Sequence, residues 1–247
     1  MGFNLKMIFL WWHFLWCMWR LSAASKRYRR DPMNFHIQQR NDYLLKRAKQ
    51  LLWYFNVKLE VVGLDSLPKG PVILMPNHKS NIDPLLILAS LEKTNFERIG
   101  KNKIPTFIAK VELKKRGITR KVLELLDTIF INRQDLRQSI KSLEEFGSHV
   151  KQNKTYGVIF PEGTRINELT LGEFKAGGAK VARSHYLPIV PVAISDSRDA
   201  LNKKRNKKLK IRVEFLKVIK PAEFITIDNA VIMERVKQTI EKALNHE

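Results

Sequence analysis

A single cysteine, Cys17, leaves this 247-residue chain without a partner for an intramolecular disulfide and without a thiolate cluster to hold zinc. The six histidines are scattered, with no His-Glu-x-x-His pair. No metal and no other cofactor is therefore expected. A Gly-x-x-x-x-Gly-Lys loop is missing, which removes the common nucleotide-phosphate cradle, and so is the Gly-x-Ser-x-Gly elbow that would recruit a catalytic serine. Acidic residues are short: 24 Asp and Glu against 45 Lys and Arg give a net charge of +21. That imbalance suits a negatively charged environment, either nucleic acid or anionic lipid. An apolar run of spanning length is also missing. Residues 7–19, MIFLWWHFLWCMW, are interrupted only by His13, but such a helix covers about 20 Å of a hydrocarbon core about 30 Å thick.

What that first segment does have is four tryptophans, with Lys6 before it and Arg20 behind. Tryptophan prefers the headgroup boundary, so the segment reads as an embedded or interfacial helix. A cleaved signal peptide, with Ser22, Ala23 and Ala24 as the small residues, and a buried core helix are the competing readings; the bulky aromatic run and the basic cluster at residues 26–30 favour retention. Those basic residues would rest on anionic headgroups, and the bias of positive charge puts this side in the cytoplasm. After Pro32, Leu44, Ala48, Leu51, Leu52 and Phe55 form a helical stripe, with Arg40, Lys46, Arg47 and Lys49 expected away from it. Residues 1–56 thus read as a two-helix membrane anchor, monotopic or peripheral, and residues 57–247 as the catalytic domain. MGFNLK lacks the Ser or Thr of a myristoylation signal.

From residue 57 onward, β-rich runs alternate with helical stretches, as in an α/β fold with a sheet covered by helices. Candidate strands are residues 57–62, 72–75, 107–109, 128–131, 157–160, 189–194 and 211–215. Several are continuous apolar runs, the pattern of strands buried on both faces. Three helical stripes lie between or after them: Ile118, Val122, Leu125 and Leu126; Leu136, Ile140, Leu143 and Val150; Ile232, Val236, Ile240 and Leu244. Residues 92–103 and 199–208 are the stretches with the weakest signal for order, and the second contains a basic run at 203–208.

Chemistry gathers where strands end. The apolar run at 72–75 leads into Pro76-Asn77-His78-Lys79-Ser80-Asn81-Ile82-Asp83-Pro84, with Asp83 or Ser80 able to cap a following helix and Pro84 suited to its first turn. A neutral imidazole can take a hydroxyl proton when a carboxylate orients its other nitrogen, and Asp83 is the nearest candidate for His78. Five residues of separation place the two on different faces of a continuous helix, so pairing needs a bend. A surface histidine beside a helix-capping aspartate fits the same residues. A Ser80–His78–Asp83 triad is crowded in sequence. The run at 158–160 leads into Pro161-Glu162-Gly163-Thr164-Arg165, where Gly163 admits close backbone approach, Thr164 offers a hydroxyl and Arg165 a planar fork for phosphate oxygens. Lys110 and Arg133 end two further strands, and convergence of the three cations would make a phosphate site beside His78.

Together these runs resemble the lysophosphatidic acid acyltransferases, over about residues 57–220. The family's Asn-His-x-x-x-x-Asp block is matched by Asn77, His78 and Asp83, its Ile-Asn-Arg block by Ile131, Asn132 and Arg133, its Phe-Pro-Glu-Gly-Thr-Arg block by residues 160–165, and its Val-Pro-Val block by Val190, Pro191 and Val192. Phe174-Lys175-Ala176-Gly177-Gly178 resembles the segment that follows. The resemblance implies a mixed, largely parallel sheet flanked by helices with an N-terminal two-helix membrane motif. It also implies acyl transfer from acyl-CoA or acyl-carrier protein to lysophosphatidic acid, with His78 as base, Asp83 as its partner, and Lys110, Arg133, Glu162, Gly163, Thr164 and Arg165 holding the acceptor. The link from Asp83 to Lys110 and the basic run at 203–208 depart from the pattern. Two rival readings remain: transfer to another acceptor, such as glycerol 3-phosphate or a different lysolipid, and a basic protein that binds anionic lipid or nucleic acid. For nucleic acid, aromatic residues interleaved with basic ones on one face are needed, and residues 203–210 contain none, so nucleic acid is not an expected partner.

Overall fold

The computed structural model describes residues 3–93 and 100–245. Seven strands form one sheet: β1 (Val57–Val62), β2 (Val72–Pro76), β3 (Pro105–Lys110), β4 (Ile129–Ile131), β5 (Tyr156–Val158), β6 (Ile189–Ile194) and β7 (Leu209–Phe215), in the order β1-β7-β6-β2-β5-β3-β4. Every pairing is parallel except β6 with β7. The β2 and β6 strands are buried along their whole length, which explains their unbroken apolar sequences: with helices on both faces no position can be polar. Each expected strand is present, with ends shifted by up to two residues.

Helices cover the sheet: α1 (Phe3–Arg30), α2 (Ile37–Tyr54), α3 (Asp83–Ser90), α4 (Gly117–Leu125), α5 (Leu136–Asn153), α6 (Gly177–His185) and α7 (Asn229–Asn245). The α7 stripe packs as expected, with Ile232, Val236 and Ile240 buried. In α4 the stripe is buried at Leu125 and the following Leu126, Val122 packs half-buried against the same cluster, and Ile118 stays exposed. The α5 stripe is corrected. Ser142, Phe146 and Val150, spaced four apart, face inward, whereas Leu136 and Ile140 are 75% and 44% exposed. The expected stripe thus holds at Val150, which is buried, and Leu143, which packs against the core, and fails at its first two positions. Asp135 caps this helix, its carboxylate accepting the Gln138 amide at 3.0 Å.

The N-terminal helices divide their work. Leu44, Ala48 and Leu52 of α2, with Leu21 of α1, belong to the same apolar cluster as Val72, Leu74, Val190, Val192 and Ile211 of the sheet. Arg40 and Arg47, expected on the outer face of α2, are buried. Arg40 donates to both oxygens of Asp127, at 2.8 and 2.7 Å, and to the carbonyls of Leu125 and Phe35; Arg47 donates to Gln50 and Cys17. The buried Arg40 guanidinium is tolerable because its carboxylate and carbonyl partners meet its donors, whereas Arg47 leaves its Nε without a hydrogen-bond partner among the described residues. The second half of α1 docks on α4: Ser25 and Arg29 reach Glu124, Tyr28 donates to Asp127 at 2.6 Å, and Lys121 reaches Ser22. The basic cluster at 26–30 is therefore only partly available to lipid.

The first half of α1, which contains a break in helical geometry at Leu10, is different. Ile8, Phe9, Trp11, Trp12, Leu15, Trp16 and Trp19 are exposed, and Trp53 of α2 is exposed nearby, beneath the Lys6 ammonium. No helix among the described residues is long and apolar enough to cross a membrane. Of the stretch 92–103, residues 94–99 lie outside the described residues; Glu92 pairs with Lys49 and Asn102 with Asp42. The stretch 199–208 is ordered, with a short 3-10 turn at Arg198–Leu201.

Candidate active site

Four parallel strands, β2, β5, β3 and β4, deliver their carboxyl ends to one edge of the sheet, where open α/β sheets bind ligands. His78 follows β2. The chain turns between it and α3, so the bend required for pairing is present: His78 Nδ1 lies 2.8 Å from Asp83 Oδ2. Asp83 is the first residue of α3 and does not cap it. Its carboxylate turns back, and Oδ2 also accepts the amides of Lys79 and Ser80 at 2.7 Å each, while Oδ1 accepts the Ser197 hydroxyl at 2.5 Å. Asp83 is fully buried and meets only donors, which suits a carboxylate that accepts and does not donate. Its position assigns the His78 proton to Nδ1 and leaves Nε2 as the acceptor.

The ring of Phe160 supports the imidazole at 4.3 Å between centroids. Asn77 locks the loop to β6 by exchanging two hydrogen bonds with the backbone of Ile194, at 2.9 and 2.7 Å. Ser80 contributes its amide to Asp83, and its hydroxyl makes no hydrogen bond to His78. The third polar member around Asp83 is Ser197, which follows β6 and lies 114 residues away. Sequence offered only the weak hint of a serine just past a strand that ends at the same edge.

Residues 162–165 follow β5, next to β2 in the sheet. The two loops are joined directly, since the Ile166 amide donates to the His78 carbonyl at 3.0 Å and Glu162 Oε2 accepts the His78 amide at 3.2 Å. Glu162 points inward. Burial pushes its carboxyl above the usual range, opposed by the His78 amide, the Lys79 ammonium and the Gly172 amide, and its Oε1 is buried without a hydrogen-bond partner among the described residues. Glu162 thus lies on the inner side of the turn and makes no pair with Arg165. Gly163 adopts φ +70°, and the Lys175 side chain lies 3.4 Å from where a β-carbon would stand, so a larger residue would be strained and would push that lysine. Thr164 and Arg165 are exposed.

Lys79 was not expected to matter. It is buried, and its ammonium donates to the carbonyls of Glu168, Leu169 and Thr170, strapping the loop after Arg165. Burial lowers its pKa. Lys110 ends β3 and Arg133 follows β4, both exposed. At about 4.8 Å per strand, the 162–165 turn stands one strand from His78, Lys110 two, and Arg133 three or about 14 Å. The cations line one edge in that order. Neither the Lys110 nor the Arg165 side chain is tied to another described residue by a hydrogen bond or ion pair. Among the described residues no group of His, Cys, Asp and Glu is arranged to hold a metal.

Residues 58–195 match the acyltransferase family, a span that takes in all of these strand ends. The chain belongs to that family. Two relatives support the membership across most of its length. A probable 1-acyl-sn-glycerol-3-phosphate acyltransferase of Mycoplasma pneumoniae is 34% identical, covering 88% of this chain and 82% of its own. One of the same description from Mycoplasma genitalium is 33% identical, over 95% and 87%. The crystal structure of the 1-acyl-sn-glycerophosphate (LPA) acyltransferase of Thermotoga maritima superposes with a TM-score of 0.69 over 99% of this chain and 92% of that one, at 20% identity, and establishes the shared fold. As an acyltransferase, the protein has its family-matched span centred on the His78 and 162–165 loops.

Proposed function

We propose that the protein transfers an acyl group from acyl-CoA or acyl-carrier protein to the free hydroxyl of 1-acyl-sn-glycerol 3-phosphate, forming phosphatidic acid, with His78 as general base. The observation that carries this reading is the imidazole held on Nδ1 by a buried, four-fold hydrogen-bonded Asp83, with Nε2 left to take a proton. Nε2 removes the hydroxyl proton as the oxygen attacks the thioester carbonyl carbon. The tetrahedral intermediate collapses, the carbon–sulfur bond breaks, and the imidazolium returns the proton to the departing thiolate. Asp83 balances the imidazolium charge. No acyl-enzyme is needed, because the acceptor supplies the nucleophile.

The acceptor phosphate pairs with the cations in order of their distance from His78: Arg165 first, Lys110 next, Arg133 at the margin. Gly163 and Thr164 shape the turn that presents Arg165, and Glu162 holds that turn to the His78 loop from the inside. The exposed tryptophans of α1 rest in the headgroup region of an anionic membrane, on its cytoplasmic face, without spanning it. Residues 1–56 act as the anchor and residues 57–247 as the catalytic domain, with α2 contributing to the core of both.

Full-length protein in anionic lipid, supplied with labelled acyl-CoA or acyl-carrier protein and lysophosphatidic acid, tests this. Wild type is expected to make phosphatidic acid and His78→Ala, still folded and lipid-bound, to lose about 10²–10⁴ in rate. Transfer to glycerol 3-phosphate but not to lysophosphatidic acid would move the acceptor assignment, and no transfer from either donor would end it.

A further inference from the structure

The basic run at 203–208 lies outside the family-matched span, and the chemistry at His78 makes no use of it. Its location follows from the sheet. Because β7 runs antiparallel to β6, the start of β7 lies at the edge where β6 and β2 end. Val57 pairs with Leu209, so the junction between α2 and β1 reaches that same edge. The loop before β7 is welded to this junction. Arg205 donates to the carbonyls of Phe55, Asn56, Asp199, Ala200 and Lys207, and the Asn56 side chain donates to the Asn206 carbonyl at 3.4 Å. The oxygen of the Asn56 side chain accepts from Lys6 of α1 at 3.5 Å, and Lys6 also donates to the Trp53 carbonyl at 2.6 Å.

The run therefore spends its one arginine on structure and its lysines on solvent. Lys203, Lys204, Lys207 and Lys208 are all exposed, and none pairs with a carboxylate among the described residues; the nearby Asp199 accepts from Asn202 and attracts Arg205. Holding four like charges on an anchored loop is unfavourable in isolation. Lys208 and Arg205 depress the ionisation of Lys6 in the same way, second to burial. An ordinary solvated loop has no need of such an anchor. Through Asn56 the loop adjoins Lys6, at the start of the helix that carries the exposed tryptophans, and exposed Trp53, whose ring lies under the Lys6 ammonium.

We infer that the 203–208 loop and the tryptophan-rich half of α1 form one membrane-docking face, in which the loop lysines contact anionic lipid headgroups and set the catalytic edge toward the bilayer. The inference rests on the membrane association proposed above and adds to it a second contact point, distant in sequence. Two points fix an orientation where a single helix permits rotation about its axis. An acidic carrier protein offers the lysines similar charge but gains nothing from the neighbouring tryptophans, so lipid is the better match.

Sedimentation of the full-length protein with phosphatidylcholine vesicles, with and without phosphatidylglycerol, tests it. The Lys204→Ser, Lys207→Ser double variant is compared with Lys69→Ser, Lys151→Ser, which removes equal charge from exposed positions preceding β2 and β5, at the opposite edge. The loop variant is expected to partition onto anionic vesicles about 30-fold more weakly than wild type, at the usual strength of a lysine near a charged surface. The opposite-edge variant should change little, and both variants should keep activity on detergent-dispersed substrate. Equal losses in the two variants, or no loss in the loop variant, would overturn the inference while leaving membrane association intact. Wild type that binds neither vesicle would overturn both. A loop variant that binds vesicles normally but needs more acyl-carrier protein would assign the lysines to the donor instead.

Discussion

Ser197 gives the site one hydroxyl, donated to the Asp83 oxygen that His78 does not use. Removing it leaves a buried carboxylate oxygen unmet, a loss that falls on the position of the imidazole and not on substrate binding. Ser197→Ala is expected to lower kcat about tenfold with KM for either substrate nearly unchanged, to shift the acidic limb of the rate–pH profile, and to be restored in large part by Ser197→Thr. Steady-state kinetics across pH read all three; a rise in KM alone would make the residue a substrate contact. His78 and Asp83 were legible in sequence because the residues are close in the chain and only one bend separates them. Ser197 was not, since nothing local marks a serine whose partner is 114 residues away. Arg40 was misread for a related reason: in a helical stripe a buried arginine looks like a surface one until its carboxylate, 87 residues on, is known.

Among the elements, α1 is held to α4 by polar contacts whose strength depends on protonation. Burial and the hydrogen bond to Asp127 raise the Tyr28 phenol to about 12, with Arg40 pulling the other way. A folded-state pKa raised above the ordinary 10.0 means that this contribution to stability is complete below pH 10 and is lost as pH climbs through about 12. Urea unfolding followed across that window should show wild type losing stability that Tyr28→Phe, already lacking the phenol, does not lose; parallel decline of the two would discount the contact. The strands were the most legible elements, because a central parallel strand has no polar face to confuse its pattern. The α5 helix shows the limit. Of the stripe Leu136, Ile140, Leu143 and Val150, the last is buried and Leu143 packs against the core, yet the sheet also receives Phe146 with Gly147 and Ser142 beside it while Leu136 and Ile140 stay exposed, and small residues at a close-packed contact carry no hydrophobic signal.

For the whole molecule, the two halves of α1 predict different outcomes of shortening the chain. Deleting residues 1–19 removes the exposed aromatics and little of the core, so the remainder should fold and fail to bind vesicles. Deleting 1–56 takes Leu21, Leu44, Ala48 and Leu52 out of the main apolar cluster. At about 2–5 kcal/mol for each large side chain lost, that exceeds much of the 5–15 kcal/mol that holds a domain together. Circular dichroism and thermal melts of the two truncations distinguish these cases, and a folded 57–247 fragment would contradict the shared core.

The division of α1 also constrains how its sequence can drift. Ile8, Phe9, Trp11, Trp12, Leu15, Trp16 and Trp19 are exposed and belong to neither buried apolar cluster, so exchange of one interfacial aromatic for another there is expected to disturb no core packing. Ser25 and Tyr28 answer to Glu124 and Asp127, and a change at either must be matched across the chain or reversed. Even with its break at Leu10, α1 thus carries two tempos of change, a permissive stretch followed by a coupled one, with the boundary near Trp19.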